Sequence, residues 1–153
     1  MKCEMCGKID CPCGERAANT GKLLLRLSLG SIFLYHGYAK VFILGVGAFV
    51  GFLTSLNFPF PTIMAYIAAY GEIAVGISLI LGIFTRWLSI LGLIISLVAM
   101  FSVHFKNGFD IQKGGYEYIQ LIAASFIAII LVGSGKYALD KFFCKKETEK
   151  SNL

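Results

Sequence analysis

Four stretches of this chain are long and apolar enough to cross a membrane as helices, and almost no charge interrupts them. A hydrocarbon core roughly 30 Å thick takes about 20 mostly apolar residues in helical form. The segments near residues 23–42, 61–84, 87–105 and 116–135 each meet that requirement. Charged residues make up 15% of the 153-residue chain and crowd its two ends, while hydrophobic residues reach 57%. Such a chain is neither disordered nor a small secreted disulfide scaffold. Its pI of 9.0 comes from flanking charge and not from a basic face, so no nucleic-acid partner is expected. The expected partner is the lipid bilayer, and the expected fold class is an all-α membrane protein with a four-helix transmembrane bundle.

The connections narrow the topology. Only Thr85 and Arg86 separate the second and third spans, which predicts an antiparallel hairpin, and the polar run 106–115 separates the third from the fourth. Residues 43–60 are uncharged and apolar but broken by Gly45, Gly47, Gly51 and Pro59, which predicts an interfacial or re-entrant segment between helices 1 and 2. Pro61 opens the second span, where its missing N–H costs nothing. With four spans both termini share one side. That side carries ten of the 14 basic residues (Lys2, Lys8, Arg16, Lys22, Arg86, Lys136, Lys141, Lys145, Lys146, Lys150) against Lys40, Lys106 and Lys113 on the other. The excess predicts a multi-pass cell-membrane protein with both termini in the cytoplasm. The polar first 22 residues do not read as a cleaved signal peptide.

Ionisable side chains inside spans are costly and face protein or a watered cavity. Arg26 lies near the inner end of the first span, and His36 with Lys40, four residues apart, near its outer end. Gly30, Phe33 and Gly37 continue the stripe from Arg26 and suit close helix contact. Glu72 stands mid-span on a stripe with Ala65, Ala68, Ala69 and Gly76, so it is expected to point at protein. His104 closes the third span, and Glu117 with Gln120 opens the fourth on the face of Ala124 and Ala128. Traced through the helix directions, His36, Lys40, His104, Glu117 and Gln120 gather in the outer half with Glu72 below them. Tyr35, Tyr38, Tyr66, Tyr70, Tyr116 and Tyr118 lie there too, the ordinary reading being an interfacial belt. The ordinary reading of Lys40 is a snorkelling cation, and of Arg86 a topology determinant. A faint repeat links Arg26, Gly30 and His36 to Arg86, Gly92 and His104, which predicts two parallel hairpins that juxtapose His/Glu sets. Gly133-Ser134-Gly135-Lys136 is not a phosphate loop, since Ile130 and Tyr137 occupy positions the motif reserves for glycine and Ser/Thr.

Residues 1–20 form a separate cytoplasmic tail. Cys3, Cys6, Cys11 and Cys13 lie there as C-x2-C-x4-C-x-C, and Cys144 follows the last span. In a reducing compartment this pattern reads as metal binding or thiol redox chemistry before structural disulfides, beside the plainer reading of a reduced tail without metal. Zinc held by four thiolates is the simplest metal site, with Cu(I) or an iron–sulfur cluster as alternatives.

Arg26-Leu27, Leu29-Gly30, His36-Gly37, Lys40, Gly71-Glu72, Leu81-Gly82-Ile83, Thr85-Arg86, His104, Gly114-Gly115-Tyr116-Glu117, Gly133-Ser134-Gly135 and Leu139-Asp140 resemble, in order and spacing, the DoxX family of small membrane proteins. Ala138 stands where that family often has serine. The resemblance covers about residues 20–143 and implies a four-helix transmembrane domain over 21–143, followed by a charged tail at 144–153. It implies a subunit of a membrane redox system that interacts with quinone or passes reducing equivalents to it from sulfur compounds or thiols. Founding members of the family are described as subunits of a quinol oxidase and of a thiosulfate:quinone oxidoreductase. On this reading any enzymatic role is that of a quinone-linked oxidoreductase acting within a complex. The partners are then other membrane or cytoplasmic redox subunits, or further copies of the chain. Glu72 and Glu117 are the expected proton-exchanging groups, His36 and His104 the quinone's hydrogen-bond partners, and Arg26, Lys40, Arg86 and Tyr116 further cofactor contacts. The competing readings are a proton-coupled small-solute transporter using the same carboxylates, and a non-catalytic subunit or assembly factor with a metal-binding tail.

Overall fold

In a computed structural model, which describes residues 12–140, the chain is all helical, with no strand among the described residues. The principal elements are α1 (Pro12–Tyr38), α2 (Val46–Ser55), α3 (Pro61–Leu81), α4 (Thr85–Ala99) and α5 (Glu117–Val132). Two of the four sequence-predicted spans, Pro61–Leu81 and the continuous run Thr85–Asn107, are long and apolar enough to cross a membrane. The bent pair formed by α1 and α2 supplies a third candidate, and α5 is a shorter apolar helix. The cysteines Cys3, Cys6, Cys11 and Cys144 lie outside the described residues, as does the side chain of Cys13.

Close backbone approach sets the packing of α1 on α3. A Cβ added to Gly76 would lie 2.7 Å from the Leu34 nitrogen and 2.9 Å from the Gly30 carbonyl. Gly37 faces the Ala69 carbonyl at 2.9 Å in the same way. In an apolar medium, where burying hydrocarbon gains little, such small-residue contacts are what hold helices together. On the other side α4 packs against α5, and the Phe126 ring fills the space above Gly92. Phe126 also meets Phe33 edge-to-face at 4.8 Å, which ties the two helix pairs into one core with Leu29, Val75, Leu79, Ile122 and Ile129.

The segment between the first two spans folds as α2, turned 100° from α1. The turn is made at Gly45, whose φ of 78° is open to glycine and strained for other residues. Leu53 fastens α2 to α3. The second span stops at Leu81, short of the expected Phe84, because Gly82 takes the left-handed conformation and its N–H, with that of Ile83, closes on the Ser78 carbonyl. The third span accordingly begins at Thr85. Asp140 supplies its cap from the far end of the sequence: its carboxylate accepts hydrogen bonds from the Phe84 and Thr85 N–H groups at 2.7 and 3.3 Å.

Candidate functional site

The site begins with a change of helical pitch. After Tyr38 the helix widens into a π-helical turn, Ala39–Ile43, and α4 does the same at Met100–His104. These turns carry Lys40 and His104. Such local widenings re-aim side chains and occur often at functional sites. From its turn Lys40 reaches α3, where its Nζ donates to both carboxylate oxygens of Glu72 at 2.5 Å. Among the described residues this is the sole ion pair, and Glu72 is only 7% exposed. The Lys40 ammonium also lies 5.2 Å from the centre of the Phe49 ring on α2.

Two cavities meet at this pair. The more polar one, of about 260 Å³, carries His36, Lys40, Glu72, Ser96, His104 and Tyr118 among apolar side chains such as Ile32, Phe33, Ile95 and Ile122. An apolar one of about 380 Å³ runs between α2, α3 and α4 and shares Lys40, Glu72, Ile95, Ala99 and His104 with the first. The pair thus forms part of both walls. The His104 Nδ1 lies 2.8 Å from the Gly114 carbonyl, which can only accept, so Nδ1 is the donor in that hydrogen bond. Asn107 donates to the same carbonyl at 3.1 Å, fixing the loop that closes the polar cavity.

The expected site residues divide into three groups. His36, Lys40, Glu72 and His104 come together around the polar cavity. Tyr116 and Glu117 lie in its roof and outside its lining. Tyr116 stacks on Phe105 at 5.5 Å and meets Phe109 edge-on, while Glu117 accepts from the Ile111 N–H at 3.3 Å. Glu117, Gln120 and Ala124 face outward, because α5 turns Ile122, Ala123, Phe126 and Ile129 into the core instead. Arg26 and Arg86 are at the opposite end. Arg26 is 1% exposed, with its guanidinium donating to the carbonyls of Leu79, Ile80 and Ser134 at 3.0, 3.4 and 2.7 Å. Arg86 is exposed and lies over Gly133, beside the last carbonyls of α5. Of the two His/Glu sets the repeat would juxtapose, the histidines share one cavity and the glutamates do not.

Tyr35, Tyr38, Tyr66 and Tyr70 point outward, as interfacial tyrosines do, and Tyr118 alone of the six lines the polar cavity. Ser96 and Phe49 were not expected at the site. Ser96 belongs to the buried small-residue stripe Ser89, Gly92, Ser96, whose helical spacing could have marked it. Phe49 could not be placed without the bend at Gly45.

With this geometry in hand, comparison with known proteins is informative. The family model described as DoxX matches residues 21–105. A protein of Bacillus subtilis (strain 168) named "Putative oxidoreductase CatD" is 33% identical over 131 residues, which cover 86% of this chain and 92% of that protein. The "Inner membrane protein YphA" of Escherichia coli (strain K12) is 28% identical over 124 residues, covering 78% of this chain and 87% of that protein. No solved structure gives a significant match.

Proposed function

The chain belongs to the DoxX family, and from that premise we propose that it is a membrane redox component whose polar cavity receives the head of a quinone. Reducing equivalents then come from thiols or other sulfur compounds through a partner subunit. The observation that carries this reading is the Lys40–Glu72 pair, set in one cavity wall with His36 and His104. The residues fit a quinone head: the cavity offers N–H and O–H donors for carbonyl oxygens, groups that can trade protons, and an adjoining apolar space. A quinone takes up two electrons and two protons on becoming a quinol. On the protein side, Lys40 and Tyr118 orient by donating hydrogen bonds, while Glu72 and the His104 ring hold or release protons. The loop fixed at Gly114 borders the polar cavity through Ile111, Gly114 and Gly115.

In this proposal the chain crosses the bilayer four times with both termini in the cytoplasm, as the distribution of Lys and Arg supports. The sixteen residues of α5 rise about 24 Å, and the turn at 133–135 extends its reach. The relative named as an oxidoreductase supports the redox reading, and the one named as an inner membrane protein supports the location.

The test is quinone reduction by native membranes and quinone retention by the gently purified protein, each with Glu72→Gln. Removing a proton-exchanging group should slow the reaction by about 100-fold. A protein that retains no quinone, with membrane reduction unchanged by the substitution, overturns the proposal. Quinone-independent solute flux in proteoliposomes that collapses with Glu72→Gln would replace it with the proton-coupled carrier.

A further inference from the structure

The apolar cavity has an unusual position for a packing defect. It opens outward between α3 and α4, the latter belonging, with its continuation to Asn107, to the second run long enough to cross a membrane, and Ile67, Ile94 and Val98 on its rim are 45–52% exposed. Its inner end is the Lys40–Glu72 pair, and its upper wall is α2, which presents Phe49, Phe52 and Leu53. A ligand filling it would lie in hydrocarbon over most of its length and touch charge at one tip. The polar cavity alone, about 260 Å³, is below the roughly 300 Å³ at which ligand pockets begin, whereas the apolar one is above it. The apolar cavity gives a head group at the Lys40–Glu72 pair an apolar way out between α3 and α4, past the exposed Ile67, Ile94 and Val98.

We propose that the groove beneath α2 is a binding site for the hydrocarbon tail of a lipid-soluble ligand whose head lies at the Lys40–Glu72 pair. This makes the site selective for tail-bearing molecules that arrive from the bilayer over water-soluble ones of the same head chemistry. The inference rests on the reading of the polar cavity as a quinone-head site for the identity of the head, but the tail site has its own observable. A tail already dissolved in lipid gains little by the hydrophobic effect on entering the groove. Its advantage comes from packing on the fixed rings of Phe49, Phe52 and Phe58, and from the head being held nearby. The expected preference is correspondingly modest, about tenfold for a decyl-tailed quinone over its tailless counterpart at equal concentration within the bilayer.

Two measurements on the full chain in lipid nanodiscs test this. In the first, a decyl probe carrying a photoactivatable diazirine and no quinone is crosslinked and its attachment sites are mapped. Attachment should concentrate on residues 46–58 of α2 and the following loop and on 91–103, and fall at least fivefold in Ala68→Phe, which fills the groove from α3. Val98→Phe, at the exposed rim, gives the same readout should Ala68→Phe fail to accumulate. Attachment spread evenly over outward-facing positions such as Tyr35, Tyr38 and Ile63, or unchanged by both variants, overturns the tail site. In the second, tailed and tailless quinones are titrated, and Ala68→Phe should erase the tenfold preference without weakening the tailless one. Quinone that fails to bind in either form, with groove labelling intact, refutes the head reading and leaves the tail site standing. A tailless quinone that binds as tightly as the tailed one, with labelling unlocalised, refutes the tail site and leaves the head reading.

Discussion

Arg26 and Glu72 are both buried charges inside long apolar helices, yet their surroundings have little in common. Arg26 lies where α1, the end of α3 and the turn after α5 converge, and all three of its partners are backbone carbonyls. Two belong to the last turn of α3, whose unpaired carbonyls carry partial negative charge. Those partners cannot titrate or move without unwinding the helix. Glu72 instead meets a flexible lysine from a widened helical turn, and the pair borders two cavities. If Glu72 acts as proposed, burial alone does not separate a structural charge from a working one. The nature of the partner does: fixed dipoles hold a charge permanently, whereas an ion pair beside a cavity can open, exchange a proton and close.

The largest expected effect breaks the structural end. Arg26→Met removes two good charge-assisted hydrogen bonds and a longer one, and leaves their carbonyls unpaired. Two such bonds are worth roughly 3–6 kcal/mol, which consumes much of the 5–15 kcal/mol that holds a typical domain together. The variant should fail to accumulate in membranes or lose its thermal transition in detergent, and Arg26→Lys should recover only part, since an ammonium cannot span three carbonyls as a guanidinium does. Normal accumulation of Arg26→Met would remove the structural half of the contrast.

The working end should respond differently to single and paired changes. Glu72→Leu or Lys40→Met alone strands its partner's charge. The cost should be about 3 kcal/mol, the low end for a broken buried pair because the cavity can admit water. The double variant should recover most of that stability while staying inactive with quinone. A thermal-stability cycle in detergent measures the coupling. Additive losses, or activity that survives in the double variant, would show that the pair is scaffold and that Glu72 resembles Arg26 after all.

How far these two ends could be read in the sequence follows from what each depends on. The apolar runs located the helices but not their ends, since α3 stops at Leu81 and α5 covers only Glu117–Val132, and the stripes of Gly30, Gly37 and Gly76 marked faces for close helix contact without naming the partner. His36, Lys40, Glu72 and His104 were found because charge is rare within spans, and they do share one cavity. Arg26 stood out for the same reason, but sequence could not show that its partners are carbonyls, which carry no residue signature. Glu117, close enough to the interface to be solvated, is already set apart in the sequence from the mid-span Glu72, and it lies outside the cavity lining. The turns that carry Lys40 and His104 are set by tertiary packing and leave no mark in composition.

A smaller effect belongs to the cap contributed by Asp140, which lies next to the structural end. Asp140→Ala frees the Phe84 and Thr85 N–H groups at the start of α4 and should cost about 1 kcal/mol. Because that cap is remote from both cavities, quinone affinity should be unchanged while the thermal midpoint drops by a few degrees. A loss of binding as large as that of Glu72→Gln would mean the two ends are mechanically coupled through α4, whose far end carries His104.

The smallest expected effect is the sharpest comparison, because it sets one glutamate against another. Glu117 is exposed, and its one hydrogen bond, from the Ile111 N–H at 3.3 Å, can be replaced by water or kept by an amide oxygen. Glu117→Gln should therefore change stability by less than about 1 kcal/mol, and should leave quinone binding and its proton-linked reduction within twofold of the unaltered protein. Measured beside Glu72→Gln in the same membranes, the two substitutions remove the same charge at nearly the same cost in volume. They differ in burial and in whether the carboxylate borders the cavity with a lysine bound to it. Equal losses of activity would place the proton path through the roof of the cavity as well, by way of the loop that Glu117 holds to Ile111.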